Sequence, residues 1–439
     1  MAILDWLALA SDKQNILYAS LALVVPVLLV RYKHKPRYPP SPSSLPIVGH
    51  LLWLSSGFIH LDFSKIGEQL GSDIIFLKVF GQQMVVLNSL KAASDLLEKR
   101  SGIYSDRSCP PFGKDPTLFD FSDNLAMLGY NDTWRHHRRM LNKWLNARAV
   151  TQFNGLLEYQ TALLLRRLLT QLTHPRPFEV VGDEFFFTTG SAMLKLAYGY
   201  QLESKDDKFF QDAQLVLTRI VKSFGPTGFA VNIFPFLIYI PSWFPGTGWK
   251  RTAREWREHK DKTYKSLYEW TKSQVVAGTA VPSVLSYLLQ DEEITAGLRP
   301  EEKELRLKEL SIALYGGKGF INGITSGTLM KFVAAMVLNP SAQAKAQKEI
   351  DSIIGPDTLP NMSDRDRLPY VRNLILEVLR MAFSITGWCS APNTWAMGRD
   401  KAVYEDPELF NPDRFLDSNV PHLAGFGWGR RICPGLHFA

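Results

Sequence analysis

The stretch FGWGRRICPG, Phe426 to Gly435, decides how the rest of the chain is read. Cys433 stands in a glycine-rich turn, two residues after Arg431 and seven after Phe426. A cysteine near its ordinary pKa of about 8.5 is largely a thiol, and becomes a thiolate where amide N–H groups or cationic charge favour the anion. The start of a following helix and the neighbouring arginines can supply both. Gly429 and Gly435 allow the backbone to come close to a bound group. A merely buried cysteine would not require Phe426, Gly429, Arg431, Cys433 and Gly435 all at fixed positions within ten residues. The glycines at 425, 427 and 429 resemble a dinucleotide loop, but no strand–turn–helix unit surrounds them. The pattern points to a thiolate that ligates a cofactor.

The chain around this stretch has 439 residues, of which 46% are hydrophobic, enough for a large core. Its net charge of +7 suits an acidic partner or an anionic membrane surface. The basic residues are scattered and no zinc-finger or RNP-like motif accompanies them, so nucleic acid is not an expected partner. Only three cysteines occur, Cys109, Cys389 and Cys433, and none forms a CxxC pair. A disulfide framework and a structural zinc site are therefore not expected.

Ile16 to Val30, ILYASLALVVPVLLV, is apolar and uncharged, and RYKHKPR follows it from Arg31 to Arg37. Snorkelling Arg31 and Lys33 can extend this run toward the ~20 residues a spanning helix needs. The basic excess after it places the bulk of the chain in the cytosol. Residues 1–35 are thus expected to be a single membrane anchor. The prolines at 36, 39, 40, 42 and 46 make 36–50 a semi-rigid arm. Residues 51–439 form the remaining domain.

In that domain, Asp73–Phe80 and Gln83–Asn88 read as a hairpin turning at Gly81, and helical patterns cover Leu156–Leu172, Asn339–Ile354 and Tyr370–Arg380. The expected class is mainly α with a small β region. Phe224 to Trp249 is rich in aromatic residues and proline without helical or strand period. It reads either as a buried connector or as a second, monotopic membrane contact. Phe112–Phe121 and Phe185–Phe187 are candidates for a pocket wall, though aromatic runs more often build core.

F-x-x-G-x-R-x-C-x-G, together with three upstream elements in order, resembles the cytochrome P450 family. Glu377 and Arg380 form E-x-x-R in LILEVLR, three apart on one helix face and embedded among Leu374, Ile375, Leu376, Val378 and Leu379. Such a buried pair needs further hydrogen bonds. Arg414 in FNPDRF resembles the third member of the family's Glu–Arg–Arg network. Trp134 and Arg138 in WRHHR resemble its W-x-x-x-R pair. The segments PNTWAMGRD, DPELFNPDRF and IFPFLIYIPSWFPGTGWKR look like those of fungal microsomal members, and the resemblance covers nearly the whole chain.

The resemblance implies the cytochrome P450 fold and haem b (iron protoporphyrin IX) as cofactor. Cys433 would be the axial ligand, Phe426 would cover the sulfur side of the ring, Gly429 and Gly435 would border the cofactor, and Trp134, Arg138 and Arg431 would hold its propionates. A thiolate ligand favours O–O cleavage. The implied activity is monooxygenation of a small hydrophobic substrate, with electrons from NADPH through NADPH–cytochrome P450 reductase. The implied location is the endoplasmic reticulum membrane, single-pass, with the catalytic domain cytosolic.

Three departures temper that expectation. The family's A/G-G-x-D/E-T, whose acid–alcohol pair delivers protons to dioxygen, is replaced by LYGGKGFINGITSGTLMKF, Leu314 to Phe332. Gly319 and Phe320, or Gly323 and Ile324, align with the pair, and Thr325 is the nearest hydroxyl and the candidate catalytic residue. Five glycines between 316 and 327 cost a helix up to ~1 kcal/mol each and predict a break. Only eleven residues, Met381 to Ala391, separate Arg380 from Pro392, too few for the family's pocket-lining strands. The chain ends at Ala439, six residues past Cys433, where LHFA is too short for a stable helix. The expectation is a C-terminally truncated fold lacking part of its sheet, as in a truncated or mis-assembled gene product. Two alternatives follow: a catalytically inactive family member, or a haem-thiolate isomerase or dehydratase acting on a peroxide, which needs no acid–alcohol pair.

Overall fold

The computed structural model describes residues 38–55, 57–224, 228–382, 390–423 and 425–438; over 316–324 and at 382, 390 and 391 the description is of the backbone. The expected hairpin forms from β1 (Ile74–Val79) and β2 (Gln82–Leu87), antiparallel with Val79 opposite Gln82. Phe80 and Gly81 make its two-residue turn at φ +48° and +86°. Two positive φ angles give the turn a twist that matches the strands. β3 (Ser390–Pro392) adds to β2 in parallel, so the order is β1-β2-β3. The short Arg380–Pro392 connection therefore still delivers a strand to the sheet, although 383–389 lie outside the described residues.

The proline arm is docked against the body over its described part. Tyr38 stacks on Phe76 at 4.3 Å, and the Phe76 amide donates to the Pro40 carbonyl at 2.9 Å. Gly49, at φ +65°, presses on β1 where an added Cβ would lie 1.9 Å from the Lys78 carbonyl oxygen. Over its described part the semi-rigid arm thus lies along the edge of the sheet, with Gly49 bridged to Val79. Beneath the sheet, α1 (Ile59–Leu70) buries Phe63 and Ile66 against Ile75, Leu77 and Val86. Left-handed Gly71 caps the end of α1 at φ +58°.

The rest is helical. In chain order come α2 (Asp132–Leu145), α3 (Asn154–Leu169), α4 (Pro177–Tyr198), α5 (Lys208–Phe224), α6 (Gly248–Val276), α7 (Val284–Gln290), α8 (Pro300–Leu338), α9 (Pro340–Ile353) and α10 (Pro369–Ala382). The main core joins α2, α4, α5, α6 and α8 with the aromatic segment after Pro110. Phe112 and Phe119 are fully buried in it, and Phe112 stacks on Phe229 at 3.9 Å. Phe185 and Phe187 are buried as well. These runs are core.

α8 departs from expectation: its backbone is helical without interruption from Pro300 to Leu338. Packing along α4, the most extensive helix pair among the described residues, outweighs the glycine cost. Among the described residues no helix is long and apolar enough to cross a membrane; the run 16–30 lies outside them.

Candidate functional site

α2 begins where the Asn131 side chain accepts the Trp134 amide at 2.8 Å, an N-cap that fixes the first turn. Trp134, His137, Met140, Leu141 and Leu145 make its buried stripe. Arg138, beside that stripe, reaches across to the Phe426–Gly435 loop and donates from Nη1 to the Ile432 carbonyl at 2.7 Å. Arg431 reaches back: Nε donates to the Ser105 carbonyl at 2.6 Å and Nη2 to that of Leu128 at 2.8 Å. The Trp134 indole lies between them, with the Arg431 guanidinium 4.5 Å and that of Arg138 5.6 Å from its ring. Trp134, Arg138 and Arg431 are therefore brought together, one residue away from Cys433.

The loop is closed by the Cys433 amide, which donates to the Phe426 carbonyl at 2.8 Å. Phe426 and Cys433 are both half-buried. Gly429, at φ +51°, sits so close to the segment before α2 that a Cβ would meet the Leu97 carbonyl oxygen at 2.3 Å and Ser101 at 2.8 Å. Its smallness thus serves contact with the chain itself. Gly435 carries no such demand, since a Cβ there would stand 3.8 Å from Cys433 Sγ, an ordinary contact. Past the cysteine the chain makes turns, Leu436 N–H to Cys433 carbonyl and Phe438 N–H to Gly435 carbonyl. Phe438 is buried against Phe153.

The site is cationic at close quarters. Burial pulls the Arg431 pKa down to about 10; Arg107 and Arg138 add to the shift, while Asp106 and Tyr130 oppose it. Burial also lowers Arg138, and the charge of Cys433 works the other way. That coupling places a guanidinium in the field of the sulfur. At the exposed rim, Tyr130 is held between the guanidinium groups of Arg135 and Arg430, at 4.5 and 5.1 Å. Arg107, Tyr130 and His137 were not singled out in the sequence. Arg107 and Tyr130 carry no spacing signal, and His137 differs from His136 only in the face it occupies.

The Glu–Arg–Arg network forms as expected. Glu377 and Arg380 are fully buried on α10, with Nε–Oε2 and Nη2–Oε1 contacts of 2.7 and 2.8 Å. Arg414 Nε adds a 3.2 Å bond to Glu377 Oε1, and the Asn411 amide another at 2.8 Å. Arg380 further donates to the carbonyls of Gly398, Pro407 and Leu409. These bonds meet the condition under which a buried ion pair is tolerated. Gly398 is required there, because a Cβ would lie 2.3 Å from the Arg380 carbonyl oxygen.

Thr325 stands apart. It is half-buried on α8, just past the backbone-only stretch. Among the described residues no hydrogen bond joins it to the Trp134–Arg138–Cys433 cluster.

Comparison with known proteins matches residues 39–387 and 390–439 to the family model Cytochrome P450. The break between the two matched segments falls within the shortened Arg380–Pro392 connection. Cytochrome P450 monooxygenase 208 of Postia placenta is 33% identical, over 95% of this chain and 84% of its own length. Cytochrome P450 monooxygenase COX1 of Coprinopsis cinerea is 32% identical, over 94% and 84%. Cytochrome P450 monooxygenase claR of Ampulloclitocybe clavipes is 32% identical, over 91% and 76%. With the family model covering nearly the whole chain and a cysteine loop, tryptophan–arginine pair and Glu–Arg–Arg network all in place, the chain belongs to the cytochrome P450 family of haem-dependent, oxygen-incorporating oxidoreductases.

Proposed function

We propose that this chain binds haem b through the Cys433 thiolate and acts as a monooxygenase on a small hydrophobic substrate. The observation that carries this is the convergence of Trp134, Arg138 and Arg431 on the Cys433 loop. The residues fit the group. The Arg138 guanidinium stands close enough to Arg431 to lower its affinity for protons, and the carboxylate acting on Arg431 is that of Asp106. The two carboxylates of haem would supply the missing negative charge, and a guanidinium offers five N–H donors, of which Arg138 gives one to Ile432.

Haem bound there supplies the activation of dioxygen, with the thiolate favouring O–O cleavage. The chain's own part is positional and electrostatic. Arg138 holds the loop by the carbonyl next to Cys433 and sets a guanidinium near the sulfur. The Glu377–Arg380–Arg414 network fixes the polypeptide between α10 and the loop. The overall balance takes one substrate C–H, O₂, NADPH and a proton to C–OH, water and NADP⁺. Electrons would come from NADPH–cytochrome P450 reductase, whose docking is favoured by the exposed Arg135 and Arg430 stacked on Tyr130 at the loop.

Membrane attachment belongs to the same proposal, with residues 1–35 as a single-pass anchor in the endoplasmic reticulum and the catalytic domain cytosolic. A line of exposed apolar side chains supports it: Phe236, Tyr239, Trp243 and Phe244 on one segment, with Ile47 and Leu52 near the arm. Exposed apolar surface of this kind is expensive in water and suits a membrane interface.

The reduced carbon monoxide difference spectrum of the purified chain tests the haem-thiolate reading. A thiolate-type Soret band is expected, and its absence from a folded protein would sink the proposal. From Leu310 to Leu338, α8 carries no acidic residue, which favours a second reading: a peroxide-using isomerase or dehydratase. Turnover with peroxide alone, and none with NADPH and reductase, would select it.

A further inference from the structure

Three tyrosines from three helices converge on one point of the core. Tyr198 closes α4, Tyr264 lies midway along α6, and Tyr315 stands on α8. With Ala213, Leu217 and Ile312 they line a small internal cavity of about 10 Å³. All three side chains are buried, and none of their hydroxyls has a hydrogen-bond partner among the described residues. Burial holds each phenol well above its ordinary pKa, so all three are neutral and keep the O–H. Leaving such groups buried and unpaired is costly and rare in native proteins.

The neighbouring polar groups do not meet that need. Ser311 lies close enough to Tyr198 to ease its ionisation, but its own proton goes to the Leu307 carbonyl at 2.8 Å. Thr263, on the cavity wall, donates to the His259 carbonyl at 2.8 Å. Glu309, three residues before Ile312 on α8, acts on Tyr198 and Tyr264 through its charge, and its Oε2 is buried without a partner among the described residues as well. The chemistry of the occupant follows from the donors and the room. A neutral phenol both donates and accepts, which suits a neutral occupant able to do the same. A cavity of this size takes one water and nothing larger, and a buried water wants two to four polar partners.

We infer that the cavity binds a single water molecule, shared by the hydroxyls of Tyr198, Tyr264 and Tyr315, which ties α4, α6 and α8 together. Such a water accepts two of the phenol protons and donates one of its own to the third oxygen. The tie holds α8 at Tyr315, the residue directly before its glycines begin at Gly316.

The test is a set of tyrosine-to-phenylalanine variants of the full chain in detergent, unfolded in urea, together with a crystal structure of the parent. Phe keeps the ring and its packing and removes only the hydroxyl. Tyr198→Phe, Tyr264→Phe and Tyr315→Phe should each lower the folding equilibrium constant roughly two- to tenfold, the loss of one ordinary hydrogen bond. Each pair of substitutions should depart by more than about twofold from the product of its singles, because the hydroxyls share one partner. The crystal structure should show one isolated density peak within about 3 Å of at least two phenol oxygens. Single variants as stable as the parent, or more so, would overturn the inference, since they mean dry and unpaired hydroxyls. Multiplicative effects would also overturn it, because they mean separate partners, as would phenol oxygens bonded directly to one another with no density between them.

Discussion

Substitutions at Cys433, Arg380 and Gly429 can be separated by what they cost. Cys433→Ser takes away the sulfur and leaves the Cys433 backbone bond to Phe426 intact. It should therefore abolish the thiolate-type Soret band in the carbon monoxide spectrum while moving the melting temperature of the haem-free chain by only a few degrees. Arg380→Leu should act in the reverse sense. It strands Glu377, fully buried, without its bidentate partner and should destabilise the protein by about 3–5 kcal/mol in urea unfolding. Gly429→Ala forces a side chain into left-handed backbone and against the Leu97 carbonyl, which costs about 1–2 kcal/mol for the backbone alone. Of these residues, Cys433, Arg380 and Gly429 were legible in sequence because each sits in a motif of fixed spacing. That His137 is buried on α2 with no hydrogen-bond partner among the described residues was not, because neighbouring letters in WRHHR look alike and only the helix face tells them apart.

Among the elements, the hairpin and α10 were the most readable, since alternation, a turn glycine and an apolar run leave few alternatives. α8 was misjudged at its glycines. Local propensity counts against a helix there, whereas packing against α4 and the other core helices prevails. That balance makes a specific prediction. Gly327 lies in the helix, has no positive φ, and an added Cβ would meet nothing within 4 Å. Gly327→Ala should stabilise the protein by up to about 1 kcal/mol, read as a higher denaturation midpoint at unchanged slope. The docking of the proline arm was not legible for a related reason. Proline forbids helix but says nothing about docking, and here one proline carbonyl accepts an amide from β1.

Over the whole molecule, two buried groups should shape stability against pH in opposite directions. Burial, reinforced by Asp123, Asp261 and Asp120 and opposed by Lys260, raises the Glu309 pKa to about 7 from 4.5. The folded chain then binds the extra proton, so this contribution is present below pH 4.5 and is lost as pH rises to about 7. His137, lowered to about 4 from 6.5, contributes above pH 6.5 and loses that contribution as pH falls toward 4. Between pH 4.5 and 6.5 the two slopes, each about 1.4 kcal/mol per pH unit, should largely cancel. In the haem-free protein, Glu309→Gln should leave stability rising with pH across that window. His137→Phe should leave it falling. Parallel profiles for parent and variants, measured by urea unfolding, would refute both assignments. The Arg380 hydrogen bonds to the carbonyls of Gly398, Pro407 and Leu409 have a further consequence for the connection that precedes them. With α10 clamped on one side and β3 zipped to β2 on the other, both described ends of the Arg380–Pro392 connection are anchored to the body. Between two fixed ends, lengthening a connection costs little, since each doubling of a flexible loop adds only about 0.6 kcal/mol of closure entropy. Anchored ends thus make this connection a place where related chains can gain or lose residues while the cysteine loop stays in register, and the break in the family match falls here.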